Sequence, residues 1–174
     1  MAQLIGNKSS KKNSTSNSDS QAQPTRFINE IIVHCSESRP DQDITAADVN
    51  EWHRQKKWDC IGYHFFIKLD GTIEAGRPLW KEGAHCYGHN RNSIGICYAG
   101  GLIRKGEQAY YVDTRTPEQI RSLYLLIITL LHCYPSISKV TGHNEYSHKA
   151  CPCFDAYGEY NSLVDWMQTH SFFP

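Results

Sequence analysis

The chain has no uninterrupted apolar run of about eighteen residues, which excludes a membrane-spanning helix. Its opening residues, Met-Ala-Gln-Leu-Ile-Gly-Asn-Lys, hold no hydrophobic stretch long enough for a secretory signal. An excess of one charge is missing too: 18 Lys+Arg stand against 18 Asp+Glu, so no global field draws nucleic acid or a membrane surface. Lys8, Lys11, Lys12 and Arg26 against Asp19 give the first 26 residues a net +3 and leave −3 for the remainder, a weak asymmetry. The seven cysteines are odd in number and lack the spacing of a disulfide framework. Cys35, Cys97 and Cys133 sit in apolar surroundings, where a free cysteine behaves as a small hydrophobe. The expectation is synthesis in a reducing compartment, with mostly structural thiols.

What remains describes one domain. The chain has 174 residues, 40% of them hydrophobic, enough for a sizeable core. Residues 7–25 are dominated by Ser, Asn, Lys, Gln and Thr, with no aliphatic or aromatic side chain larger than Ala22, a composition that cannot offset its own ordering entropy. We therefore expect a disordered arm over 1–26, with a partner- or wall-binding arm as the alternative, and a folded domain over 27–174. No internal repeat is visible.

Within that domain strand and helix signals alternate. Phe27–Val33 is a short apolar run that fits a buried strand. Thr45-Ala-Ala-Asp48 resembles a capped helix start. Ile61–Leu69 and Thr72–Ala75 flank the hairpin dipeptide Asp70-Gly71. Ser93–Tyr98 is a strand closed by Gly100-Gly101. Thr116-Pro-Glu-Gln119 opens a helix that runs to Cys133 and stops before Pro135. Val140-Thr-Gly142 is a last strand and Phe154–Gln168 a last helix. The fold class is α/β: a single domain with a central mixed sheet flanked by at least three helices.

The chemistry concentrates in His143-Asn-Glu-Tyr-Ser-His-Lys-Ala-Cys151-Pro-Cys153, which sets imidazole, ammonium and thiol within a short span. His34 stands at the C-terminal end of the first strand run, the rim where α/β sheets carry their sites. Imidazole and thiolate suit Zn²⁺, and catalytic zinc takes three protein ligands and leaves one position for water. For a lone histidine such as His34, burial with a satisfied hydrogen bond is the competing reading. Spacing alone does not choose between His143 and His148, or between Cys151 and Cys153. Tyr63 and His64 alternate on a strand, so one facing the metal implies that the other does not. His85 and His89 lie on a glycine-punctuated loop suited to a groove wall. His53, His132 and His170, on helices or at the terminus, read as non-functional. No His-Glu-x-x-His helix is present, so a glutamate-base protease arrangement is unsupported.

Val33-His34-Cys35-Ser36, Gly62-Tyr63-His64-Phe65, Asp70-Gly71-Thr72, Gly83-Ala84-His85, Asn92-Ser93-Ile94-Gly95-Ile96 and Gly142-His143 through Lys149-Ala150-Cys151-Pro152 occur in one order. In that order they resemble the zinc-dependent N-acetylmuramoyl-L-alanine amidases, phage lysozymes of amidase type above all, whose fold peptidoglycan recognition proteins share. The resemblance spans nearly all of Phe27 to Ala156. It implies zinc on His34, His143 and Cys151 and a catalytic Tyr63 and Lys149; the substrate contact expected at His85 comes from its glycine-punctuated loop.

The reaction so implied is hydrolysis of the amide between the lactyl group of N-acetylmuramic acid and L-alanine in bacterial peptidoglycan. Zinc-activated water attacks the carbonyl, and Lys149 and Tyr63 support the developing charge. Alternatives are a non-catalytic peptidoglycan-binding module, for which a missing cysteine ligand is typical, and a cytosolic amidase that recycles muropeptides. The resemblance also leaves open an RNA polymerase as protein partner. We expect a monomer, made in the cytoplasm and acting on the wall after release, with no nucleic acid or membrane insertion.

Overall fold

Strand β1 (Glu30–Cys35) is buried at every position because it lies inside the sheet, with covered faces on both sides. A computed structural model describes residues 26–170, and the arm expected over 1–26 lies outside them except for Arg26. The elements that follow β1 are α1 (Ala46–Gln55), β2 (Phe65–Ile67), β3 (Ile73–Ala75), β4 (Ser93–Tyr98), β5 (Leu102–Lys105) and β6 (Gln108–Tyr111). Then come α2 (Pro117–Cys133), β7 (Lys139–Gly142) and α3 (Ala156–Thr169). The main sheet has five strands in the order β3-β2-β4-β1-β7. β1 runs parallel to β4 and β7, β2 runs parallel to β4, and only β3 is antiparallel.

Strand alternation divides the interior in two. Ile31, Val33 and Cys35 of β1 join Ile94, Ile96 and Tyr98 of β4 in the larger core, against Leu123, Ile127 and Leu130 of α2 and Tyr160 and Val164 of α3. Phe66 and Cys97 point to the other face, where Ala46 and Val49 of α1 cover them. By the same period of two, His34 belongs to the α1 face.

The helices begin where their side chains satisfy the first backbone donors. Thr45 and Asp48 form a reciprocal capping box at α1. Thr116 and Gln119 form another at α2, with Pro117 at the first position. Gln119 also ties that helix to the sheet. Its side chain is fully buried, accepts from Thr116 N at 3.0 Å, and donates to Ala99 O at 2.8 Å and Ile67 O at 3.3 Å.

The expected mixed sheet with three flanking helices is present. Two details differ. β1 lies at 30–35 rather than 27–33, which brings His34 inside the strand. The β5–β6 hairpin had no forecast, because its residues lack an alternating apolar pattern. The first described residue is Arg26, whose guanidinium donates to the carbonyls of Leu79 at 2.9 Å and Asn90 at 3.0 Å.

Gln119→Ala leaves the Thr116 N–H and the Ala99 carbonyl without this partner, while the Ile67 carbonyl keeps the Ala99 N–H, which costs about 2–3 kcal/mol of folding free energy. Urea unfolding should show a lower midpoint with an unchanged slope; an unchanged midpoint would mean that Gln119 is not the tie described.

Candidate metal centre

Three segments converge at the C-terminal ends of the parallel strands. His34 comes from β1, His143 follows β7 directly, and Cys151 sits on the loop between β7 and α3. One ligating atom from each of these three residues lies within 4.8 Å of the others. The imidazoles of His34 and His143 are 4.7 Å apart by ring centroid, and Cys151 Sγ is 3.8 Å from His34 Nδ1. Of the histidines and cysteines that spacing left open, His148 is exposed, and Cys153 Sγ rests 3.7 Å from Cys35 Sγ instead.

A chain of polar contacts assigns the tautomer of His34. The Ser93 hydroxyl donates to the His89 carbonyl at 2.7 Å, leaving its lone pairs for His85 Nε2–H at 3.4 Å. His85 Nδ1 then carries no proton and accepts His34 Nε2–H at 3.0 Å. This tautomer assignment turns the lone pair of His34 Nδ1 toward Cys151 Sγ. An imidazole oriented through its second nitrogen is the usual support of a metal-ligating histidine. Gly95 makes room for it, since a Cβ there would stand 2.5 Å from His85 Cδ2.

The charge states suit a cation. Burial lowers the His34 pKa well below its usual value, and His85, His143 and Lys149 push the same way. Burial, then Lys149, lowers that of His143. Both imidazoles are therefore neutral ligands at neutral pH. The neighbouring Cys35 thiol and burial raise the Cys151 pKa, while the Cys35 N–H, 3.3 Å from Sγ, favours the thiolate. A divalent cation reverses the balance outright, because a coordinating thiol is deprotonated. Two neutral imidazoles and one buried thiolate fit zinc.

Beside this cluster is a cavity of about 150 Å³ lined by Glu37, Trp52, His53, Lys56, Tyr63 and Lys149, among others. The Tyr63 ring is 5.0 Å from that of His34, and burial, then Cys97, raises its pKa well above the phenol value. Tyr63 thus keeps its proton. Lys149 is exposed at the cavity and lies 3.7 Å from Glu37. Glu37 has a left-handed backbone, φ 55°, a costly conformation for a residue with a side chain and one that gathers at functional sites.

Some sequence expectations meet a different geometry. Tyr63 and His64 both reach the α1 side of the sheet, because β2 begins only at Phe65 and strict alternation does not yet apply. His85 is buried behind His34, not on the cavity wall. His89 stacks on Tyr146 at 3.7 Å and pairs with the buried Glu30 at 3.5 Å. His53, read as non-functional, lines the cavity and accepts from Gly62 N at 2.9 Å through Nδ1. Its helical spacing with Val49 places both on the buried face of α1.

The fold and donor set define a single-domain α/β protein built around two histidines and one cysteine. Residues 23–154 match the family model described as N-acetylmuramoyl-L-alanine amidase. The chain is 43% identical to an endolysin of Escherichia phage T7 over 77% of this chain and 87% of that one. It is 41% identical to an endolysin of Enterobacteria phage T3 over 83% and 94%. Among solved structures, the N-acetylmuramoyl-L-alanine amidase LysC from Clostridium intestinale superposes with a TM-score of 0.65 at 31% identity, covering 80% of this chain and 85% of that one. The chain belongs to the N-acetylmuramoyl-L-alanine amidase family, and it is an enzyme of that class.

Burial lowers the pKa values of His53 and His64 to about 4 each. The unfolded chain therefore binds these protons first as pH falls, so their contribution to stability is complete above about 6.5 and fades toward 4. Imidazole resonances of His53 and His64 should titrate near the lower value by NMR, with the urea midpoint declining through the same window. Titration near 6.5 would show both rings to be solvated.

Proposed function

We propose that this chain is a zinc amidase of endolysin type that hydrolyses the bond between N-acetylmuramic acid and L-alanine in peptidoglycan. His34, His143 and Cys151 hold the ion in this reading. The observation that carries it is the convergence of one donor atom from each of His34, His143 and Cys151 within 4.8 Å, with His34 Nδ1 3.8 Å from Cys151 Sγ. Zinc, when bound, supplies a Lewis acid and lowers the pKa of water in its open position to about 7.

The chain's own residues supply the rest. The cavity beside the cluster receives the lactyl–alanine amide, with its carbonyl oxygen toward Lys149. The Lys149 ammonium stabilises negative charge as it develops on that oxygen. Tyr63, held neutral by burial, donates its phenolic hydrogen to the attacking water or the oxyanion. His85 is a positioning residue that acts through His34. Among the described residues no helix is long and apolar enough to cross a membrane. The name endolysin carried by the phage relatives supports action on the wall after release at lysis. The protein acts as a monomer in this reading.

Purified sacculi should yield new L-alanine amino termini with zinc and none after chelation; new reducing sugar ends would place the cut in the glycan instead. Cys151→Ser should lose zinc and activity together. Lys149→Ala should keep its zinc and lose about 10²–10³ in rate. Wild-type speed in Lys149→Ala would remove the oxyanion role. His85→Ala should weaken zinc affinity by about 10–100-fold with the three ligands intact; unaltered affinity would dismiss its positioning role.

A further inference from the structure

Two thiols beside the metal cluster have no part in the mechanism. Cys35 follows the ligand His34, and Cys153 lies two residues past the ligand Cys151. Their sulfurs are 3.7 Å apart, although the residues are 118 positions apart in sequence. Gly101 makes this contact possible: a Cβ there would lie 2.5 Å from Cys35 Sγ and 3.4 Å from Cys153 Sγ. Cys153 Sγ also donates to the Gly101 carbonyl at 3.4 Å. The loop is held in place by Tyr98 Oη, which donates to the Pro152 carbonyl at 2.6 Å. Cys153 adopts φ 73°, a left-handed backbone that directs its side chain back to the end of β1.

From this geometry we infer that Cys35 and Cys153 form a dithiol site that a two-electron oxidant closes into a disulfide, stapling the strand that carries His34 to the loop that carries Cys151. The sulfurs already stand 3.7 Å apart, so closure asks for a further approach of under about 2 Å to the S–S bond length. Cys35 is 3% exposed, whereas Cys153 is half-buried, so an external disulfide meets Cys153 first. With oxidised glutathione, the Cys153 thiolate attacks one glutathione sulfur and expels the other as thiolate. The Cys35 thiolate then attacks Cys153 Sγ and expels the second glutathione. One protein disulfide forms, two glutathiones are reduced, and they take up the two thiol protons.

The reducing interior of a cell keeps the pair open, and an oxidising exterior closes it. A bridge between residues so distant in sequence restricts the unfolded chain strongly. Selectivity for Cys153 over Cys151 rests on the metal reading above, since a bound cation occupies the Cys151 sulfur. The sulfur contact does not rest on it.

The test incubates the full-length, zinc-loaded protein with oxidised glutathione, alkylates the remaining thiols and maps the peptides by mass spectrometry. Zinc content and thermal unfolding are read on the same samples. The expected result is a Cys35–Cys153 cross-link with zinc retained and a Tm raised by roughly 5–10 °C. Cys153→Ser should show neither cross-link nor oxidation-dependent rise in Tm. Alkylation of both Cys35 and Cys153 after oxidation would overturn the inference, as would a cross-link to Cys151 with zinc released. A protein that binds no zinc yet forms the Cys35–Cys153 bridge would uphold this inference while refuting the metal reading.

Discussion

The arrangement depends on one hydrogen bond, from His34 Nε2 to His85 Nδ1, buried at 3.0 Å. A buried imidazole whose second nitrogen lacked a partner would carry an unsatisfied polar group, and its ring would be free to turn. The bond settles both matters and leaves His34 Nδ1 aimed at the Cys151 sulfur. It exists because His85 is seated over Gly95, a strand position with no side chain on the α1 face. It is polarised further because the Ser93 hydroxyl is committed to the His89 carbonyl. The sheet therefore supplies a seat for the second histidine as well as a platform for the first.

Parallel pairing explains why the three donors meet. β1 stands between β4 and β7, so the end of β1 and the exit from β7 lie side by side. His34 and His143 emerge from those neighbouring ends, and Cys151 returns on the loop before α3 packs against β7. The large core beneath, filled by α2 and α3, fixes the sheet from the opposite face. The site itself opens on the thinner side, where α1 covers only part of the sheet and leaves a cavity along Trp52, His53 and Lys56.

Much of this was legible in the sequence because its signals are local. The Thr116-Pro-Glu-Gln119 opening and the stop before Pro135 mark α2 at Pro117–Cys133. Asp70-Gly71 marks the β2–β3 hairpin, and Ser93–Tyr98 is β4 to the residue. The family resemblance named His34, His143 and Cys151, whose donor atoms the fold brings within 4.8 Å of one another. What stayed hidden depends on contacts between distant segments. His85 looks like a groove histidine on a glycine-rich loop, and only the neighbouring ring of His34 reveals it as a buried partner. His53 looks like an unremarkable helix residue until α1 is docked over Tyr63. The nearness of Cys35 and Cys153 follows from the β1 register and the Gly101 approach, neither of which has a local signature.

The central claim is a zinc centre made of two imidazole nitrogens and one thiolate, with one position open. X-ray absorption at the zinc edge of the full-length protein tests it most directly. The account predicts two nitrogen scatterers at about 2.0–2.1 Å, one sulfur at about 2.3 Å and one light atom completing a tetrahedron. A shell with two or more sulfurs would put Cys35 or Cys153 on the metal and contradict both the ligand set and the separate role given to that pair. A shell without sulfur would contradict the part given to Cys151.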